Sequence, residues 1–233
     1  MLITEQIARE NLRSRDGKRV FYLSAQDQLT PAARDFLHQE RIEILSADQA
    51  KPPCYVLQNG ATLREKPEHL THLQGNVLVP KTHPRIRFRG AMDTLEAELL
   101  LAQLAAPEPI RQELGQALTL ARELIRCDVL GEPVPGDKIC GMTPDELRSR
   151  SHRPQDYYGV PHFMPTAADG AAILQINRAR TAARAAELAG AEAFSDRDGL
   201  PTRPDLLLAL NRLSSLLYLF MIRLKADGRK ENP

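Results

Sequence analysis

The segment ILQINRARTAARAAELAG, residues 173–190, places charge where a helix would ordinarily carry apolar side chains. At about 100° per residue, Asn177, Arg180, Arg184 and Glu187 align on one side of a helix together with Ile173 and Ile176. The other side is left with Gln175, Arg178, Ala182 and Ala185. Two chemistries suit that pattern. The arginines either form an internal salt-bridge network, because a buried charge has to be paired, or they bind an anion, because a guanidinium fork matches phosphate oxygens two at a time. The alanines fit both, since small side chains let a neighbour come close.

Three other places carry candidate chemistry. In ALNRLSSLLYLF, Asn211 and Arg212 interrupt an apolar helix, and a buried asparagine needs hydrogen-bond partners. In VPKTHPRIRFRGAMDTLEAE, Lys81 precedes a proline-started helix where a cation can meet an anion, and Asp93 lies further along the same helix. In HFMP, Phe163 stands between Pro161 and Pro165, which restrict the backbone. Such a ring either pins its loop to the core or forms one wall of a pocket for a flat ligand.

The elements that must position these residues are mostly helical. The stretches 85–105, 109–130, 173–190 and the final RPDLLLALNRLSSLLYLFMIRLKA read as long amphipathic helices, and TPDELRSRSH as a short one opened by a Thr-Pro cap. Residues 153–170 read as a loop, long enough to be functional. The start of the chain reads differently: KRVFYL and IEIL are β-rich and flank a Thr-Pro-capped helix, TPAARDFLHQER. ADQAKPP and QNGATLREKPEH read as linker. The expected fold is mainly α: an up-down helical bundle of about five helices, residues 61–233, preceded by a small α/β accessory unit, residues 1–60.

Composition narrows the function. With 233 residues, 42% hydrophobic and 26% charged, the chain has the make-up of a globular protein. A net charge of +1 provides no global field for nucleic acid or an anionic membrane. Cys54, Cys127 and Cys140 are odd in number and far apart, which suits a reducing compartment rather than a disulfide framework. The expected location is therefore the cytoplasm. No uninterrupted apolar run approaches the roughly 18 residues of a membrane span, and the first residues lack the pattern of a secretory signal.

PKTHPRIRFRGAMDTLEA, FMPTAADGAAILQINRARTAARAAE and LNRLSSLLYLF, in this order, resemble the ATP:cob(I)alamin (corrinoid) adenosyltransferases over roughly residues 68–226. The individual motifs are PduO-like, and the start LTHL…VPKTHPRIRFRG with the extra N-terminal unit is similar to the ethanolamine-utilisation (EutT-type) branch. The resemblance implies transfer of the 5′-deoxyadenosyl group of ATP to reduced cobalamin, with Mg²⁺ assisting release of triphosphate. It implies a homotrimer with sites between subunits, in which Arg180 pairs with Asp93 of an adjacent copy. Thr71, Lys81, Arg180, Arg184, Glu187 and Asn211 would serve ATP, and Phe163 with His162 would meet the corrin. It also implies a reductase and a cobalamin-dependent lyase as partners, and association with a bacterial microcompartment.

The chain departs from these relatives at three places. Thr71-His72-Leu73 and Gly75 stand where the propanediol branch has a glycine-rich ATP loop, and Ser215 stands where an aspartate is common. Cys54 is alone where many ethanolamine-type enzymes have a cysteine cluster, so no transition-metal site is expected, His69, His72 and His83 reading as loop residues. The reading set against this one is a scaffold-type or catalytically degenerate helical module whose arginines are structural.

Overall fold

The computed structural model describes residues 2–15, 18–46, 54–136 and 138–231, and the chain divides into two compact units, Met1–Lys66 and Pro67–Pro233. In the first unit, β1 (Leu2–Ile3), α1 (Glu5–Glu10), β2 (Arg13–Arg15), β3 (Lys18–Leu23), β4 (Gln28–Leu29), α2 (Pro31–Gln39) and β5 (Glu43–Ser46) follow in order. The expected β-α-β turn is present: β3 and β5 pair in parallel, Phe21 opposite Ile44, with α2 as the crossover. The Thr30 hydroxyl accepts from the Ala33 N–H, and Pro31 opens the helix. Phe21, Ala33, Phe36, Leu37 and Ile42 close a small core with Ile3 and Ala8.

Of the segments expected as linker, ADQAKPP lies outside the described residues. QNGATLREKPEH is more ordered than expected. Tyr55–Leu57 (β6) and Thr62–Leu63 (β7) form a hairpin around Gly60, which adopts a φ of 85°. In the second unit a further hairpin, β8 (Leu70–Gln74) and β9 (Val77–Pro80), turns at Gly75 and Asn76 with Thr71 opposite Val79. A two-residue turn between short alternating runs is a hairpin signature, masked here by the surrounding proline and charge.

The second unit is built on four long helices: α3 (Pro84–Ala105), α4 (Ile110–Leu130), α7 (Gly170–Ala193) and α8 (Pro204–Glu231). Two short helices, α5 (Pro144–His152) and α6 (Pro154–Tyr158), and a 3-10 turn at Ala167–Asp169 fill the long connection before α7. The protein is thus mainly α, as expected. α3 packs on α4 and α7, α7 on α8, and α5 on α8. α3 and α7 run antiparallel, because Arg87 meets Glu192 at 2.8 Å while Glu98 meets Arg178 at 2.5 Å. Phe88 also meets Phe194 edge-on at 5.2 Å.

The small residues of α7 make this packing close. Ala179, Ala183, Ala186 and Gly190 are buried on the seam. A Cβ on Gly190 would stand 3.2 Å from Leu207 and 3.3 Å from Phe88, so the glycine is where α3, α7 and α8 converge. Ala182, expected on a plain outer surface, is also buried, because α7 has neighbours on two sides. α8 has the length and mean hydropathy, 1.5, of a membrane span over Pro204–Gly228, by length and composition only. Its apolar stripe, including Leu206, Leu210, Leu213, Leu217 and Phe220, is core in the bundle.

One buried ion cluster ties three elements. The Asp128 carboxylate, 0% exposed near the end of α4, receives Arg85 Nε at 2.9 Å and Arg89 Nε at 2.7 Å from α3. Arg89 also donates to the carbonyl of Leu73 at 2.8 Å, holding the β8–β9 hairpin. Asp128→Ala should therefore lower unfolding stability by about 3–5 kcal/mol in a urea titration, since it strands two guanidinium groups. A loss below about 1 kcal/mol would show that the cluster is solvated in effect.

A second pair starts α8. Asp205 accepts from Arg203 at 2.9 Å and from the Val134 N–H at 3.0 Å. Arg203 above all, with these backbone donors, lowers the Asp205 carboxyl from 3.8 to about 2 against the opposing effect of burial. A depressed carboxylate stabilises the fold above its ordinary pKa and loses that contribution as pH falls. Asp205→Asn should cost about 1–2 kcal/mol at neutral pH, after allowance for solvent screening. The difference from the parent should shrink below pH 3.8 and vanish near pH 2. A pH-independent difference in urea midpoint would contradict this origin.

Candidate active site

The arginine helix places its charges along the rim of the seam rather than within it. Arg180 is half-buried and Arg184 exposed, whereas Ile173, Ile176, Ala179 and Ala183 form the buried face. Arg180 donates through Nε and Nη2 to Asn177 Oδ1, at 3.0 and 2.9 Å. Burial first, and then the charge of Arg184, lowers the hold of Arg180 on its proton. Two guanidinium groups held side by side without a carboxylate contact between them favour an arriving anion.

Next to them lies a cavity of about 310 Å³. Ser151 and His152 of α5, His162 of the loop, Arg180 and Arg184 of α7, and Ser214, Ser215 and Tyr218 of α8 line it. The lining contains two guanidinium groups, two imidazoles and four hydroxyls, and no carboxylate. Ser215, at the position where an aspartate is common in the resembling enzymes, turns its hydroxyl to the Asn211 carbonyl at 3.3 Å.

Farther along the seam, Asn211 has its amide fixed from both ends. Its Nδ2 donates to Glu187 Oε1 at 2.9 Å, and its Oδ1 accepts from Arg212 Nη1 at 2.6 Å. A carboxylate only accepts and a guanidinium only donates, so the amide has one orientation. The Nε of Arg212 is buried without a partner. Sequence reasoning brought Glu187 and Asn211 to one site, and the fold places them in direct contact from two antiparallel helices.

Phe163 is partly buried against the bundle core, not presented free. Its backbone N–H donates to the Tyr218 hydroxyl at 3.2 Å, and its ring lies 6.3 Å from that of Tyr218. His162 stacks on Tyr218 at 5.7 Å. Lys225, bonded to Asp169, holds its ammonium 5.5 Å from the centre of the Phe163 ring. Asp169 is kept below the usual carboxylate range by Lys225 first and the Thr166 N–H next. Tyr218, Ser214, Ser151 and His152 are absent from the residues inferred from sequence. The spacing of Tyr218, two helical turns after Asn211, sets it on the same side of that helix, but its residue type gives no sign of a role.

Thr71, Lys81 and Asp93 lie elsewhere in the same chain. Thr71 is on β8, and Lys81 is exposed on the turn after β9, its N–H donating to the His69 carbonyl at 3.3 Å. His83 caps α3 by accepting the Arg85 N–H at 3.2 Å. Burial first, then Arg85 and Arg89, pushes its imidazole below the ordinary range, in keeping with an acceptor nitrogen. The register of α3 on α7 puts Arg178 abreast of Glu98. The first turn of α3, at Arg87, is then roughly 16 Å further along the axis at 1.5 Å per residue. Asp93 is exposed midway along α3, and Arg180 does not meet it within the chain. Asp93 shares its outer face with Ala97, Leu100 (47% exposed), Leu101 (43%) and Leu104 (80%).

Asn211→Leu should test the bridge, because it strips partners from Glu187 and Arg212 without changing side-chain size much. Chemical denaturation should register a loss of about 1–3 kcal/mol. A loss under about 0.5 kcal/mol would mean that both groups find water or other partners at little cost.

The family described as "Cobalamin adenosyltransferase" matches residues 61–224. A protein named corrinoid adenosyltransferase EutT from Salmonella typhimurium is 32% identical over 94% of this chain and 91% of its own length. The protein of the same name from Escherichia coli K12 is 31% identical over the same shares.

Proposed function

Because the chain belongs to the cobalamin adenosyltransferase family, we infer that it is a corrinoid adenosyltransferase that joins the 5′-deoxyadenosyl group of ATP to cob(I)alamin. The observation that supports this reading is the arginine-rimmed cavity, lined by His162 beside Phe163 and by Ser214 and Ser215 of the helix that carries Asn211. In the reaction, the electron pair of Co(I) attacks the 5′ carbon, the Co–C bond forms, and the C5′–O bond breaks with its pair leaving on triphosphate. The metal ends formally as Co(III). The nucleophile is the corrinoid itself, so the protein supplies alignment and positive charge rather than a base.

Arg180 and Arg184 are assigned to the triphosphate side, Asn211 and Glu187 to the nucleoside side, and Thr71 and Lys81 to the phosphates from the base of the β8–β9 hairpin. Phe163, with His162 beside it, is assigned to the lower face of the corrin, where an apolar ring excludes the axial ligand and eases reduction of cob(II)alamin. Mg²⁺ neutralises charge on triphosphate oxygens when present. Among the described residues no group of three or more His, Cys, Asp and Glu is placed to hold a metal ion. Mg²⁺ is assigned as a cation carried in by the nucleotide, with arginine and lysine sharing its task. The proposed setting is cytoplasmic ethanolamine utilisation in a microcompartment, with a reductase upstream and a cobalamin-dependent lyase as consumer.

The place of Lys81 before the start of α3, with Arg180 and Arg184 level with the middle of that helix, supports a site completed by a second copy, and a homotrimer with Asp93 opposite Arg180 of its neighbour satisfies it. The row Ala97, Leu100, Leu101 and Leu104 beside Asp93 is the kind of exposed apolar face that such an assembly covers. The first test is formation of adenosylcobalamin, followed by absorbance, from ATP, Mg²⁺ and reduced cobalamin. The second is complementation. Lys81→Ala and Arg184→Ala should each weaken ATP while leaving cobalamin affinity near that of the parent. Mixed after dissociation, the two inactive variants should recover about a quarter of parental activity, since one interface in four carries both intact side chains. No recovery in proven mixed oligomers would place both residues in one chain's site.

A further inference from the structure

We propose that Tyr218 is a positioning residue, which with His162 latches the backbone of the Phe163 loop to α8 and so sets the height of the Phe163 ring in the site. This rests on the reading of Phe163 as the ring beneath the corrin. The loop between α6 and α7 has no strand partner for its backbone, and its two prolines at 161 and 165 provide no N–H of their own. A ring carried on such a loop needs an external anchor. The Tyr218 hydroxyl is that anchor, taking the Phe163 N–H at 3.2 Å.

The hydrogen bonds around that hydroxyl run in one direction. His162 Nε2 faces the His152 carbonyl at 3.1 Å, which only accepts, so Nε2 carries the proton. In the neutral ring Nδ1 is then the acceptor and takes the Tyr218 O–H at 3.1 Å. The Tyr218 oxygen accepts from Phe163 and donates to His162, and each group is used once. The His162 and Tyr218 rings are nearly parallel, 11° apart, so the contact also fixes the plane of the imidazole.

The loop is fastened a second time from the same helix. Lys225 holds Asp169, and Asp169 accepts the Thr166 N–H at 2.7 Å and its hydroxyl at 3.0 Å. Asn211, Tyr218 and Lys225 recur at intervals of two helical turns on one side of α8. A single rigid stripe therefore positions the Glu187 bridge, the Phe163 backbone and the loop's far end. The anchors for the nucleotide side and for the corrin side belong to one helix.

The test removes one oxygen. Tyr218→Phe keeps the ring and its stacking but loses both hydrogen bonds. It should keep the fold by circular dichroism, and its KM for ATP should shift less than the cobalt coordination does, because the lost hydrogen bonds go to Phe163 and His162 and not to Arg180 or Arg184. The ratio of four-coordinate to five-coordinate cob(II)alamin, read by its absorption and electron paramagnetic resonance spectra, should fall about three- to tenfold, the span of one ordinary hydrogen bond. Turnover from cob(II)alamin with a reductant should fall in step, and by a larger factor than turnover from cob(I)alamin. His162→Asn can keep an acceptor near the Nδ1 position and should retain more of the signal than His162→Ala.

Phe163→Ala, run in parallel, separates the two ideas. If it lowers both turnovers equally and leaves the cobalt spectrum unchanged, the reading of Phe163 fails and the latch loses its purpose. If Phe163→Ala abolishes the four-coordinate signal and Tyr218→Phe equals the parent, the latch alone is overturned. Equal losses from both cobalt states together with a raised KM for ATP in Tyr218→Phe would also overturn it, because the tyrosine would then support the whole site.

Discussion

A carboxylate with no access to water has to find its counter-charges inside the protein, and in this bundle that requirement falls on Asp128. Arg85 and Arg89, one helical turn apart on α3, reach it together. The pairing sets where α3 lies on α4, and the free end of Arg89 sets where the β8–β9 hairpin lies on both. Hydrophobic burial supplies most of the stability of such a bundle, but it is non-directional. The ion cluster has direction. It selects the one register in which Lys81 and Thr71 emerge beside the start of α3.

The alanines and Gly190 of α7 act on the same layer, with Gly190 against Phe88 of α3 at the end that also carries Arg85 and Arg89. They bring α3 and α8 close enough that Glu187 of α7 meets Asn211 of α8 directly. With larger residues the seam would widen, and the polar groups along its rim would be separated by more than a hydrogen bond. The position of charge beside apolar residues, which looked odd in the sequence, is thus a border: core on one side of α7, cavity on the next.

Much of this was legible beforehand, for physical reasons particular to each element. Thr30 and Thr143 announced helix starts because a hydroxyl followed by proline satisfies the first turn before any tertiary contact exists. The four long helices followed from period alone. The β8–β9 hairpin did not stand out, because strands of four or five residues carry little pattern and gain their stability from packing. Arg180, Arg184, Glu187 and Asn211 were readable as polar residues on apolar helices. Tyr218 was not, since within SSLLYLF it passes for one more apolar residue. Its hydroxyl matters only through His162 and Phe163, more than fifty residues away in the chain.

The same distinction separates what one chain contains from what the proposed assembly would add. The Arg180–Arg184 rim, the Asn211 bridge and the Phe163 loop come together inside one bundle, because α7 and α8 are antiparallel neighbours. Thr71 and Lys81 are fastened by Arg89 and Asp128 at the start of α3, whereas Arg180 and Arg184 lie farther along it, between the Arg87–Glu192 and Glu98–Arg178 pairs. Rigid helices do not bend to close such a gap. A second bundle placed against the exposed leucines of α3 can close it without changing either half. In the proposed assembly the Asp128 cluster would fix the hairpin half of the site and the alanine seam the arginine half, and the exposed leucines of α3 would join one copy to the next.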